Sequence, residues 1–117
     1  MIELEVNCVQ RPWPDAAHHD ITYLGHLGFA CRIPVDLVIL QIRGKLNRYY
    51  TLDPQTHDRV YVELRRETGK CPYLQTQVGG QWTGHLLALP DCRPTDRIIR
   101  EGVTLDTRQA VRFLVPR

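Results

Sequence analysis

Alternating apolar and polar residues predict that the chain begins with a β-strand. Every second residue from Ile2 to Cys8 is apolar, and glutamate or asparagine lies between them. This period of two places apolar side chains on one face of a strand and polar side chains on the other. Two prolines in residues 11–14 remove ladder donors, so we expect the strand to end there and a loop to follow.

Four further strands are predicted from β-branched and aromatic residues bounded by turn residues. They cover residues 20–24, 46–52, 59–66 and 71–76. The third has the clearest alternation, with Val60, Val62 and Leu64 on one face. Pro72 cannot donate to a ladder, so the last of these strands is an edge strand or begins there.

Residues 70–92 are predicted to close the fold. Gly79 and Gly80 suit a hairpin tip that returns Trp82 over the sheet. The leucines of residues 86–89 then supply apolar side chains to the core.

One helix is predicted, over about residues 34–43. Apolar residues at i, i+3, i+4 and i+7 from Val35 give this helix an apolar face. Pro34 suits the first helical position and Gly44 suits the position after the last one. These end signals favour a helix over the alternative, a buried strand.

Together these elements predict a single α+β domain, residues 1–117. With 117 residues, 43% of them hydrophobic, the chain can bury one core. We expect an antiparallel sheet of about five to six strands packed against the main helix. In residues 93–117 a short helix is predicted to start near Pro94 and to end at Gly102, and alternation at 111–115 predicts a final strand. That strand closes the sheet of this domain or adds to the edge of a partner chain.

Four short stretches form a recognisable pattern. They are His18-His19-Asp20-Ile21-Thr22, Ile42-Arg43-Gly44, Tyr73-Leu74-Gln75-Thr76 and Leu86-Leu87-Ala88-Leu89-Pro90-Asp91-Cys92. Together they resemble a small bacterial family, the domain of unknown function 3892 family. The resemblance covers residues 1–92 and implies a fold but no reaction. This chain has Gly84-His85 where the family often has Asp-Asn, and residues 93–117 form a basic C-terminal extension without a counterpart.

The N-terminus and the cysteines predict a cytoplasmic protein with reduced thiols. The first ten residues contain no basic region, and no apolar run approaches the ~18 residues of a membrane span. We therefore expect no export signal and no membrane contact. The four cysteines, Cys8, Cys31, Cys71 and Cys92, lie far apart and form no C-x-x-C pair, which favours free thiols over a disulfide framework.

The basic charge is concentrated in the last part of the chain. The formal net charge is +2, and residues 93–117 hold six arginines against three acidic residues. Basic side chains beside aromatic rings are typical of single-strand nucleic-acid binding. The candidate binding residues are Arg93, Arg97, Arg100, Arg108, Arg112 and Tyr49. Strand alternation predicts that one ring of the Tyr49-Tyr50 pair is buried.

Cysteine and histidine side chains offer two further kinds of chemistry. A zinc site needs ligands that converge in space, and the candidates are His19, His85, Cys92 and Cys8. A nucleophilic thiol would use Cys92 or Cys71, with His85 or His19 as the base. The sequence shows neither paired ligand spacing nor an oxyanion-hole pattern, so we assign no metal site and no catalytic residue.

The sequence therefore predicts a small non-enzymatic binding or interaction module that needs no cofactor. We expect its partner to be an unidentified protein and the chain to be a monomer or a homodimer. Two alternatives stay open. One is a nucleic-acid-associated accessory protein that uses the arginine-rich C-terminal segment, and the other is a metal- or thiol-dependent site around Cys92.

Overall fold

The structure, a computed structural model, describes residues 2–100, which form two β-sheets, one α-helix and two short 3₁₀-helices, His18–Asp20 and Leu27–Phe29. In chain order the elements are β1 (Ile2–Glu5), β2 (Cys8–Gln10), β3 (Tyr23–His26), β4 (Cys31–Pro34), α1 (Val35–Arg43), β5 (Asn47–Leu52), β6 (Arg59–Arg65), β7 (Tyr73–Val78), β8 (Gln81–Thr83) and β9 (Arg97–Ile98). The predicted final strand and the candidates Arg108 and Arg112 lie outside the described residues.

The two sheets share the N-terminal segment of the chain. The first sheet has the strand order β1-β5-β6-β7-β8 and the second has the order β2-β3-β4-β9. β1 pairs parallel with β5 and β9 pairs parallel with β4, while the other neighbours are antiparallel. Between β1 and β2, Val6 N–H donates to Tyr50 O at 2.8 Å and Asn7 N–H donates to Gly25 O at 2.9 Å. One continuous run of chain therefore joins the edges of both sheets.

The predicted α+β class, with one antiparallel sheet on a main helix, is wrong. Most of the regular elements among the described residues are strands, and these strands form two mixed sheets. The chain changes sheets between Glu5 and Cys8, inside an alternating run that reads as one strand. The short helix predicted after Pro94 is also wrong, because Arg97–Ile98 pairs with β4 as a strand. Both errors come from pairings between residues far apart in sequence, which local patterns do not contain.

Several local predictions are confirmed. α1 begins at Val35 and ends at Arg43, next to the predicted end signals Pro34 and Gly44. β5, β6 and β7 form consecutive antiparallel pairs, and the glycine pair at 79–80 forms the tip before β8. Both glycines have positive φ values, 57° and 83°, which residues with a Cβ rarely adopt.

Within residues 2–100 no helix is long and apolar enough to cross a bilayer.

One hydrophobic core joins both sheets, α1 and the segment after β8. Its fully buried side chains include Val6, Val9, Leu24, Ile33, Val38, Tyr49 and Leu86. Leu87 and Leu89 pack against this cluster, which confirms the predicted core role of the leucines in residues 86–89.

Candidate functional site

Residues 84–92, called the bridging segment below, cross from the first sheet to the second. Leu86 lies fully buried in the core near its start. At its far end Val9 N–H of β2 donates to Pro90 O at 3.1 Å, and Cys92 N–H donates to Val9 O at 2.9 Å. The bridging segment thus brings its two ends beside residues that are distant in sequence.

His85, at the start of the bridging segment, belongs to a chain of side-chain hydrogen bonds. Its Nδ1 lies 2.7 Å from Thr83 Oγ1, and Thr83 Oγ1 lies 2.5 Å from Thr76 Oγ1. Its Nε2 lies 2.9 Å from Asp53 Oδ2. An ionised carboxylate only accepts, so Nε2 donates to Asp53, and in the neutral ring Nδ1 accepts from the Thr83 hydroxyl. Both ring nitrogens are therefore occupied.

Asp53 presents an ionised carboxylate at the other end of this chain. Its Oδ1 accepts the backbone N–H groups of Gln55 and Thr56 at 2.9 and 3.0 Å. The hydrogen bond from His85, followed by these two bonds, lowers the pKa of the Asp53 carboxyl to about 2. The side chain is 25% exposed, so a fixed negative charge meets solvent at every physiological pH.

A cleft of about 570 Å³ lies between the Asp53 turn and the bridging segment. Its lining residues are Leu52, Asp53, Pro54, Gln55, Gly84, His85, Ala88, Leu89 and Pro90. The Asp53 carboxylate supplies the charge on one side, and Ala88, Leu89 and Pro90 supply an apolar wall on the other. This volume falls in the range of small-ligand sites, which are mostly apolar with a few polar groups. No lysine or arginine is among these described lining residues, so the cleft favours a cation.

Thr83, His85 and Asp53 form a hydroxyl–histidine–carboxylate series, the order in which a nucleophile, its base and an orienting group are linked in many hydrolytic sites. Thr83 is not among the described lining residues of the cleft, and its hydroxyl is shared with Thr76, so this hydroxyl is not presented to the cleft as a free nucleophile. The arrangement holds the Asp53 carboxylate in place.

The prediction that all four cysteines are reduced is wrong. Cys8 and Cys92 form a disulfide across 84 residues of sequence, with their Cα atoms 4.9 Å apart. The hydrogen bond from Cys92 N–H to Val9 O places the end of the bridging segment directly beside β2. The separation of the two cysteines in sequence therefore does not indicate how close their sulfurs lie in the fold. Cys31 and Cys71 are free, the first buried and the second exposed.

The four candidate metal ligands separate into three places. Cys8 and Cys92 come together, and Asp96, which the sequence does not single out, lies with them in the one such ligand group found among residues 2–100. His19 pairs with Asp20 at 3.5 Å, and its ring lies edge-on to Tyr73. His85 is bonded to Thr83 and Asp53, so the histidines do not join the cysteines.

The candidate nucleic-acid residues in the described part of the chain differ in exposure. Arg93, Arg97 and Arg100 are exposed, and Arg93 also binds Asp96, with Nε 3.2 Å from Oδ1. Tyr49 is fully buried, and its hydroxyl donates to Gln41 Oε1. Burial raises the pKa of the Tyr49 phenol far above its ordinary value. The assignment of Tyr49 as a binding residue is therefore wrong, because its ring cannot reach a base.

Arginines and aromatic rings form a face on the first sheet, called the aromatic face below. Three arginine–ring contacts define it: Arg48 over Tyr61 at 3.7 Å, Arg59 over Tyr50 at 4.3 Å and Arg65 over Trp82 at 5.1 Å. Glutamates neutralise these arginines, with Glu3 2.5 Å from Arg59 and Glu63 3.9 Å from Arg48. The rings are suited to stacking, but the balanced charge does not attract a phosphate backbone.

Comparison of the chain with known families, with curated proteins and with solved structures finds no match. The resemblance to the domain of unknown function 3892 family therefore stays a prediction. The functional argument depends on the geometry of the residues themselves.

Proposed function

We propose that this chain is a small non-enzymatic binding module, and that its ligand site is the cleft between the Asp53 turn and the bridging segment. One observation carries the proposal. Hydrogen bonds from His85 and from two backbone N–H groups fix an ionised carboxylate at the edge of a cleft whose opposite wall is apolar. A preorganised charge loses little further freedom when a ligand binds.

The ligand class follows from the two walls. The Asp53 carboxylate pairs with an ammonium or guanidinium group, which can donate to its remaining lone pairs. The Ala88–Leu89–Pro90 wall accommodates a short aliphatic body. A lysine or arginine side chain on a protein partner combines these two parts, so we propose a protein partner that presents such a side chain.

The compartment and assembly belong to the same proposal. We place the protein in a bacterial cytoplasm, where thiol reductants set the state of the Cys8–Cys92 pair. A partner that presents one side chain to one cleft requires no second copy of this chain, so a monomer or a homodimer can bind it. Sizing of the purified chain by light scattering, with and without a partner, tests this part.

A chemical-shift titration of the ¹⁵N-labelled full chain tests the ligand class. The probes are pentylammonium, pentanol and pentanoate, which share an aliphatic body and differ in charge. We expect pentylammonium to bind with a dissociation constant on the order of millimolar, because so few atoms can supply only a few kcal/mol. Pentanol should bind more weakly and pentanoate more weakly still.

Asp53→Asn is the variant that isolates the charge. Asparagine can still accept the two turn N–H groups, so the turn is kept while the charge is lost. We expect the preference for pentylammonium over pentanol to disappear. Asp58→Asn, an exposed change on the same loop and outside the cleft lining, is the matched control and should keep it. Equal binding of all three probes by the unmodified chain would overturn the proposal.

A further inference from the structure

Three metal-ligating atoms meet at the far end of the bridging segment. One sulfur from Cys8, one from Cys92 and a carboxylate oxygen of Asp96 all lie within 4.8 Å of one another, and all three residues are buried. Thiolate and carboxylate are both zinc ligands. The Asp96 carboxylate is buried beside the cysteine pair, and Arg93 is its partner there.

Backbone contacts hold these residues together in addition to the disulfide. Cys92 N–H donates at 2.9 Å to the carbonyl oxygen of Val9, the residue that follows Cys8 in β2. Asp96 is held by its neighbours, since its main-chain oxygen accepts from Arg32 Nε at 3.1 Å and Arg97 N–H donates to Ala30 O at 2.9 Å. The three ligand groups therefore stay close when the sulfur–sulfur bond is broken.

We infer that reduction of the Cys8–Cys92 disulfide creates a Zn²⁺ site from Cys8, Cys92 and Asp96. A dithiol or phosphine reductant supplies two electrons, the sulfur–sulfur bond breaks, and each sulfur takes up a proton. Zn²⁺ then binds both sulfurs and displaces these two protons to solvent. A tetrahedral ion with Zn–S bonds of about 2.3 Å separates its sulfurs by roughly 3.8 Å, which a change of cysteine rotamer provides.

The surroundings suit the charge of such a site. Two thiolates and one carboxylate around Zn²⁺ leave one net negative charge, which arginines can offset. The Asp96 carboxylate accepts from Arg93, through the main-chain N–H at 2.9 Å and through Nε at 3.2 Å. These bonds orient the carboxylate, as outer contacts do for metal ligands.

A neighbouring cavity offers a route for the ion and for the fourth ligand. This cavity, of about 490 Å³, is lined by Gln10, Arg11, Arg32, Asp91, Cys92 and Pro94. Cys92 forms part of its wall, so solvent reaches the edge of the cluster. A water molecule from this side can complete four-coordination.

Cobalt binding by the full chain tests the inference. The chain is reduced with a phosphine, freed of reductant under anaerobic conditions and titrated with Co²⁺, a spectroscopic substitute for Zn²⁺. We expect one Co²⁺ per reduced chain, with a thiolate charge-transfer band and the intense visible bands of tetrahedral cobalt. Added Zn²⁺ should remove these bands and protect Cys8 and Cys92 from alkylation. The oxidised chain should give no such bands.

Two variants identify the ligands. Asp96→Asn keeps both cysteines, so its fold can be checked in the oxidised form, and we expect it to weaken Co²⁺ binding by at least roughly tenfold. Cys71→Ser removes the exposed free thiol and should bind Co²⁺ as the unmodified chain does. The inference is overturned if the reduced chain binds no Co²⁺, if Asp96→Asn binds it equally well, or if Cys71→Ser abolishes the bands.

Discussion

The two ends of the bridging segment are attached to the domain by different chemistry. At His85 the attachment is a chain of hydrogen bonds between side chains that are 22% and 25% exposed, at the edge of the proposed ligand cleft. At Cys92 it is a buried covalent bond, next to Arg11, whose guanidinium donates to Leu89 O at 2.8 Å. The first end responds to protons and the second to reductants. The bridging segment is thus held by a covalent bond at Cys92 and by reversible hydrogen bonds at His85.

Breaking the disulfide has the largest expected effect on stability. A cross-link that closes a loop of 84 residues restricts the unfolded chain, and the chain-entropy relation gives about 4 to 5 kcal/mol for a loop of this length. We expect Cys92→Ser, or reduction in the presence of a chelator, to lower the urea midpoint accordingly, as measured by circular dichroism.

Cys71→Ser provides the matched control, because this cysteine is exposed and unpaired. Its unfolding free energy should stay within about 0.5 kcal/mol of that of the unmodified chain. An unchanged urea midpoint after reduction would contradict a structural role of the covalent end.

Leu86→Ala should have the next largest effect. This side chain is fully buried between the two attachments, so its removal leaves a cavity and costs about 2–5 kcal/mol. The same substitution at Leu40, on α1 and 60% exposed, is the control and should change stability by less than about 0.5 kcal/mol. Similar losses at both positions in urea unfolding would show that the bridging segment is not anchored in the core.

His85→Phe tests the hydrogen-bonded end. Phenylalanine cannot donate to Asp53, so we expect the pKa of that carboxyl to rise from about 2 towards the ordinary aspartate value of about 3.9. Carboxyl ¹³C shifts of Asp53 against pH measure this change. His19→Gln, which alters a histidine without contact to Asp53, should leave the Asp53 titration unchanged.

The lowered pKa of Asp53 also predicts how the stability of the fold changes with pH. The folded pKa lies below the unfolded one, so Asp53 contributes stability above about pH 4 and loses that contribution as pH falls towards about 2. Urea unfolding at a series of pH values should show this loss in the unmodified chain and a smaller one in His85→Phe. Identical acid profiles would mean that His85 does not hold the carboxylate.

The smallest expected effect concerns nucleic acid. Because glutamates neutralise the aromatic face, we expect Arg59→Gln to leave retention on a single-stranded oligonucleotide column unchanged. If retention is salt-sensitive and Arg59→Gln abolishes it, the binding surface is the aromatic face and not the cleft. Arg66→Gln, outside the three arginine–ring contacts, is the control for a simple loss of charge.

The sequence predicts the elements whose signals are local. Pro34 and Gly44 mark the ends of α1, and the alternation of Val60, Val62 and Leu64 marks β6. The two-sheet arrangement escapes prediction because it depends on parallel pairs, such as Ile2 with Asn47, between distant residues.

The candidate site is predictable only in part, for the same reason. The sequence singles out His85 and Cys92, and the turn at Asp53-Pro54 can be read from its residue types. His85 contacts Asp53, 32 residues away in sequence, and Cys92 contacts Cys8, 84 residues away, so no local pattern indicates either contact. Only the folded chain shows that His85 pairs with a carboxylate and Cys92 with a second sulfur.

The location of bound pentylammonium tests the central claim most directly. Intermolecular nuclear Overhauser effects between the probe and the labelled chain report which residues it touches. We expect contacts from its methyl end to Ala88 and Leu89, and from the carbon next to nitrogen to the Asp53 turn. Contacts to Tyr50 and Tyr61 instead, with none to the bridging segment, would contradict the account.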